Sequence, residues 1–396
     1  MIMNTSTYFA GSLIGLMLLA GCSAIPRNAV PESLTEDSNL ISLENVRFFG
    51  DALPEDARQV VRKKVDQSIA GRPEEWNSDR IIDVNLLIIT GGGPDGAFGA
   101  GLLNGMTDGK NRLEFEVVTG VSTGALIAPF AFLGPEYDSV IRDLYTKSST
   151  KDIILQKNAL VGLFSNALSD SKPLQELIAK NITMEFMEKV ADEYEIGRRL
   201  FVGTTNLDAQ RPVIWNMGEI ASYNNEEALK LFRKVLLASA SIPAAFPAVK
   251  FEVVANGQKF KELHVDGGVT NNAFFLPIRV GLGQYLKELG LQVRPTMYVI
   301  RNSSSTPAWE PVGNKTLEIA KRSIDTLVKS STTGDLHKLY TFTQINDMGF
   351  RITSVPSSFK QKSRELFDPV YMGKLYEVGY KVGLNGVTWD TTPPGL

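Results

Sequence analysis

Residues 81–106 read IIDVNLLIITGGGPDGAFGAGLLNGM, and residues 115–133 read FEVVTGVSTGALIAPFAFL. Each begins as an apolar run of strand length, meets a glycine-rich turn and continues as a helical stretch. The unbroken apolar end of the first run, residues 86–89, suggests a strand covered on both faces, as in a parallel sheet. Two strand–turn–helix units within about 50 residues make an α/β fold with a mainly parallel central sheet the economical expectation.

Outward from this core, strands are expected at 200–205, 213–217 and 296–301. Asn256-Gly257 is a hairpin signal between 251–254 and 259–265. Helices are expected at 55–70, 226–238, 317–328 and 371–382. In the helix over 317–328, Leu317, Ile319, Ala320, Ile324 and Leu327 form a stripe that is most simply core. No internal repeat or low-complexity tract is present. No shift of composition marks a boundary after about residue 44, so residues 44–396 read as one domain with a C-terminal helical extension.

Composition narrows the classes of function. The chain has 396 residues, with 41 Lys+Arg against 44 Asp+Glu and a net charge of −3. At 43% hydrophobic and 21% charged it is neither a disordered chain nor a multi-span membrane protein. The near balance of charge argues against a nucleic-acid partner. One cysteine excludes an intrachain disulfide framework and a cysteine-based zinc cluster, and two histidines, His264 and His337, leave little for a His-rich metal site. No acidic loop of the kind that holds calcium is visible, and no cofactor is implied.

The N-terminus reads differently. Residues 11–21, GSLIGLMLLAG, form an apolar run of signal-peptide length, too short to span a bilayer comfortably. The run ends in Leu19-Ala20-Gly21-Cys22, which resembles a bacterial lipobox. That resemblance implies a signal peptide over 1–21, lipidation of Cys22 and a membrane partner through the acyl chains. With Ser23 rather than Asp next in line, it implies the outer membrane. Residues 1–10 lack the Lys or Arg such signals usually carry. Residues 22–43, polar and aperiodic, read as a tether to the folded body.

Three motifs bear on chemistry. Gly120-Val121-Ser122-Thr123-Gly124 fits the G-x-S-x-G elbow, in which a serine on a strained strand-to-helix turn projects from the sheet edge. Gly91-Gly92-Gly93 precedes Pro94 and a helix, where backbone amides can converge on an anion. The spacing Gly91-x-Gly93-x-x-Gly96 also matches a dinucleotide fingerprint, with Glu114 or Glu116 as the distal acid, although that reading leaves the elbow unexplained. The Lys-Ser/Thr ending of a nucleotide-binding P-loop is absent. Asp266-Gly267-Gly268 closes an expected strand on which His264 and Asp266 share one face.

In this order the three motifs resemble the patatin-like phospholipase family. Further similar stretches lie at 201–208, 238–247 and 296–302, so the resemblance covers roughly residues 86–302. It implies a three-layer α/β fold, with helices flanking a mainly parallel sheet, and a lipid acyl ester as substrate. It also implies a Ser–Asp dyad: Ser122 the nucleophile and Asp266 its base, with Gly91, Gly92 and Gly93 in the oxyanion-hole loop. Gly96, Gly120, Gly124, Gly267 and Gly268 complete the motifs. One position departs from the family, which usually carries Arg or Lys where this chain has Asp95. A carboxylate pointing inward there would disfavour a phosphate; pointing outward it would suit the start of a helix.

Two other readings stay open. An α/β-hydrolase triad with His337 as the histidine has the permitted chain order. A hydrolase fold retained only to bind lipid is the non-enzymatic alternative. His264 shares the face of Asp266, but a structural role suits it better. Residues 155–168, LQKNALVGLFSNAL, are apolar enough for a lid, although ordinary packing under a loop is the favoured reading.

Overall fold

A computed structural model describes residues 27–41, 43–52, 57–156, 169–275, 285–286 and 288–396. Cys22, the signal segment and nearly all of the stretch 155–168 lie outside the described residues. The strands are β1 (Asn39–Leu40), β2 (Arg47–Phe49), β3 (Ile81–Ile89), β4 (Val117–Val121), β5 (Leu155–Gln156), β6 (Ser169–Asp170), β7 (Arg199–Asn206), β8 (Arg211–Asn216), β9 (Val249–Ala255), β10 (Gln258–Asp266), β11 (Gln292–Ser304) and β12 (Gly349–Val355). The helices used below are α1 (Ala57–Gly71), α2 (Gly96–Asp108), α3 (Thr123–Leu133), α4 (Asp138–Thr146), α5 (Thr150–Ile153), α6 (Lys172–Asn181), α7 (Met184–Glu195), α8 (Met217–Ser222), α9 (Glu226–Ser239), α10 (Thr316–Ile345) and α11 (Pro369–Leu384).

The main sheet has a parallel centre, β12-β11-β3-β4-β7. An antiparallel flank follows, in which β10, β9 and β1 continue the order and β8 and β2 branch from β7. The chain is therefore mixed α/β, with a mostly parallel central sheet flanked by helices. On β3, Leu87 and Ile89 face the larger apolar cluster, shared with α2, α3, α9 and α11, while Leu86 and Ile88 face a second cluster that includes Leu336 and Leu339 of α10. Burial on both faces is why this strand reads as a continuous apolar run.

Helices α2 and α11 cross closely through glycines. A Cβ on Gly101 or Gly105 would overlap the carbonyl oxygen of Tyr376 or Tyr380, and one on Gly379 or Gly383 would overlap that of Phe98 or Leu102. This contact fixes the helix that follows the Gly91–Gly93 turn.

Two expectations are corrected. Of the expected tether, residues 27–41 are laid against the sheet rather than free: β1 pairs with β9, Lys261 N donates to Asn28 O at 2.8 Å, and Arg27 pairs with Asp208. An edge strand offers unpaired backbone groups, and this polar segment satisfies them. The apolar stripe of α10 is not core: Ile319, Ile324 and Leu327 are 49%, 43% and 69% exposed. The helix runs for 30 residues, and its buried Thr332, Asp335, Leu336 and Leu339 all lie in the C-terminal half. Among the described residues no helix is long and apolar enough to cross a membrane.

Candidate active site

Strand β7 explains how distant residues meet. β4 runs parallel along its residues 199–203, ending with Val121 opposite Gly203. β10 runs antiparallel along residues 204–206, ending with Asp266 opposite Thr204. β8 takes the other edge of β7 over 201–206. Thus β4 and β10 meet head-on along one edge, and the residues at their tips are brought together.

Ser122 lies at the tip of β4 with φ 56° and ψ −125°, a conformation L-residues rarely adopt. Close packing holds it there. A Cβ on Gly120 would overlap the Gly124 carbonyl, and one on Gly124 would overlap that of Ile89. The Ser122 amide donates to Ser239 Oγ at 3.0 Å, and the Ser239 hydroxyl donates to Gly203 O at 2.7 Å. Ser239, fully buried at the end of α9, was not singled out from sequence.

Asp266 is 5% exposed. Its Oδ1 accepts from Gly268 N at 2.8 Å, and its Oδ2 is buried without a hydrogen-bond partner among the described residues. Burial pushes its pKa up to about 6, opposed by the Ser122 hydroxyl and the Gly268 amide. The hydroxyl is near enough to act on the carboxylate, while no bond of ordinary geometry joins it to Oδ2. Such contacts commonly tighten only when substrate is bound.

The glycine turn closes a third side. A Cβ on Gly91 would overlap Asn272 Oδ1 and lie 3.1 Å from Ser122 Cβ. The Gly91 amide is committed to Asn272 O at 3.3 Å. Gly93, with φ 56°, starts a short helical turn and lines the same pocket as Ser122. Two buried asparagines pin the turn. Asn302 donates from N to Thr90 Oγ1 at 3.0 Å and from Nδ2 to Thr90 O at 2.9 Å, and its Oδ1 accepts from Gly99 N at 3.1 Å. Asn272 donates from N to Asp335 Oδ2 at 2.8 Å and from Nδ2 to Thr332 Oγ1 at 2.6 Å. Asp335, 2% exposed on α10, is thus a distant support that no motif announced.

The pocket that ends at Ser122 holds about 770 Å³ of empty space, part of it open to solvent. Its wall is nearly all apolar, including Leu126, Ile178, Leu236, Phe246, Phe367 and Met372. Asp95 neither caps α2 nor points free: Tyr371 OH donates to its Oδ1 at 2.6 Å, and burial pushes its pKa up to about 6.

Neither histidine joins the pair. His264 is fully buried, with Nδ1 at 2.9 Å from Thr204 Oγ1 and Nε2 at 3.0 Å from Glu262 Oε2. His337 faces the C-terminal segment, 3.3 Å from Pro394 O. Of the two acids of the dinucleotide alternative, Glu116 is held by Arg72 in two 2.7 Å bonds and Glu114 lies 3.7 Å from the same guanidinium.

The patatin-like phospholipase model matches residues 87–280. A comparison with curated proteins finds no match. Among solved structures, VipD from Legionella pneumophila aligns at 11% identity with a TM-score of 0.36, covering 76% of this chain and 66% of that one. Human GIVD cytosolic phospholipase A2 aligns at 10% identity with a TM-score of 0.28, covering 82% of this chain and 54% of that one. The chain thus spans about two thirds and about half of those two proteins' lengths.

Proposed function

Because the chain carries a patatin-like phospholipase domain at residues 87–280, we propose that it is a serine-dependent lipid acyl hydrolase acting through Ser122 and Asp266. One observation carries the reading: a serine in a strained turn lies beside a buried carboxylate with a free oxygen, at the end of an apolar pocket.

In this mechanism the acyl chain of a lipid ester fills the pocket and sets its carbonyl against Ser122. Asp266 takes the hydroxyl proton as Ser122 Oγ attacks the carbonyl carbon. A carboxylate with a pKa near 6 is a far better base than an unperturbed one. The oxyanion is received by the Gly92 and Gly93 amides, since that of Gly91 is engaged with Asn272. Collapse of the tetrahedral intermediate expels the alcohol, which takes the proton from Asp266, and leaves an acyl-Ser122 ester. Water, deprotonated by Asp266, then attacks that ester; the carboxylic acid is released as Ser122 Oγ takes the proton back from Asp266.

The test is paired. Ser122→Ala and Asp266→Asn should each lower ester turnover by about 10³-fold or more with the fold retained. His337→Ala should keep most of it. Equal damage from His337→Ala would favour the triad. Failure of Ser122 to label with fluorophosphonates of several sizes would favour a lipid-binding protein without turnover. Mass spectrometry of products from mixed phospholipids and neutral esters assigns the substrate, the choice on which Asp95 bears.

Anchoring belongs to the same proposal. The apolar run ending in Leu19-Ala20-Gly21-Cys22 supports a lipid-modified Cys22 at a bacterial outer membrane. Incorporation of labelled palmitate that is lost in Cys22→Ala would support it, and unchanged incorporation would refute it.

A further inference from the structure

Arg301 stands one residue before Asn302, at the carboxyl end of β11. Side chains alternate along this strand. Ile300 joins the larger apolar cluster and Asn302 bonds to α2, whereas Met297 and Val299 join the cluster that holds Leu336 and Leu339 of α10. Arg301 therefore lies on the α10 side. It is fully buried, yet among the described residues Nη1 and Nη2 have no hydrogen-bond partner; Nε donates to Ser303 Oγ at 3.0 Å. Burial lowers its pKa, and no carboxylate among the described residues acts on it. Arg112 also has two unpartnered nitrogens, but Asp138 acts on it.

Two more cations, Arg322 and Lys329, reach from α10 to the segment that follows β11. Arg301 and Arg322 both weigh on Lys329, whose pKa is lowered chiefly by burial. Lys329 donates to Thr306 O and Arg322 to Ala308 O, so the segment 303–308 is tied to α10 by positive groups bonded to neutral carbonyls. Glu310, 4.0 Å from Arg322 and 57% exposed, is the carboxylate paired there.

A buried cation without a counter-ion is strongly destabilising, and replacing it with an apolar side chain of similar size usually stabilises. An unpaired guanidinium fork near Lys329, which itself lies near Arg322, matches the charge and planar geometry of a phosphate oxygen pair. We infer that Arg301, with Lys329 and Arg322, forms a binding site for a phosphate group, reached when the segment 303–308 releases its two bonds to α10. The site lies at the carboxyl ends of the parallel strands, where ligands of open α/β sheets bind, but on the opposite face of β11 from Asn302. The inference does not depend on the ester chemistry, because its readout is binding.

The experiment is thermal unfolding of the full chain in inorganic phosphate, in glycerophosphocholine, and in chloride at matched ionic strength. The wild type should show a saturable rise in Tm of about 2 °C at tenfold the Kd. Arg301→Met should start at an equal or higher Tm in chloride and show no rise. Protection by both probes assigns a lipid headgroup; protection by inorganic phosphate alone assigns the free anion. Should Arg301→Met not fold, the double variant Lys329→Gln, Arg322→Gln decides, with an apparent Kd raised about tenfold or more. A wild type that responds to neither probe, or variants that respond as the wild type does, would overturn the site.

Discussion

Asp266 is useful to the proposed chemistry for the same reason that it is costly to the fold. Its folded pKa, about 6 against an ordinary 3.8, means that the folded state favours the protonated carboxyl. Stability from this group is full below pH 3.8 and is lost as pH rises through about 6. At neutral pH the penalty is on the order of 2–3 kcal/mol. Asp266→Asn should therefore stabilise the protein at pH 8 and not at pH 3.5, while abolishing turnover; urea unfolding at the two pH values checks this. In the wild type, kcat/KM should fall about tenfold per pH unit below 6, as the base becomes protonated. Strain at Ser122 has a similar signature. Its φ of 56° with ψ −125° costs about 1–3 kcal/mol for a residue with a Cβ. Ser122→Gly should accordingly unfold at higher denaturant than Ser122→Ala, and neither should turn over ester. Equal midpoints would show that the turn stores no such strain. These residues were legible in sequence because the motifs mark backbone requirements, which glycine spacing reveals. Ser239, Asn302 and Asp335 were not, because a single buried polar residue that supports a loop has no local pattern.

Among the elements, the close crossing of α2 and α11 should be the most sensitive to small changes. Gly101 and Gly105 sit one turn apart on α2, and Gly379 and Gly383 do the same on α11, each against a backbone carbonyl of the other helix. A rotamer change cannot relieve a clash with backbone, so Gly101→Ala or Gly379→Ala must push the helices apart. The cost should be about 1–3 kcal/mol, against a gain in helix propensity of about 1 kcal/mol. A clear fall in the urea midpoint is expected for both, whereas Gly373→Ala, with open space around it, should be neutral or stabilising. The strands β3, β4, β7, β10 and β11 were legible because burial leaves continuous or alternating apolar runs. The edge strand β1 was not, because the two residues Asn39 and Leu40 that pair with β9 are too short a run to carry a periodicity. The stripe on α10 misled for a related reason: periodicity reports an apolar face but not whether the sheet extends beneath it.

Across the whole molecule, the proposed reaction depends on chain beyond the matched residues 87–280. Phe367 and Met372, from the loop before α11 and its first turn, line the pocket together with Ser122, Ile178 and Leu236. Tyr371, between them, holds Asp95 at the start of α2. The C-terminal helix thus shapes the pocket that ends at Ser122, fixes the helix after the glycine turn and contacts Asp95. If the pocket holds the acyl chain, its depth sets the chain length accepted. Leu236→Trp adds bulk to the wall and should shift preference toward short acyl esters, lowering kcat/KM for a long-chain p-nitrophenyl ester by about tenfold or more while sparing the acetate. Phe367→Ala should move selectivity the other way, since it widens the same space from the α11 side. If instead both variants scale all chain lengths equally, the chain does not lie in this pocket, and the polar groups around Ser122 select the substrate by themselves.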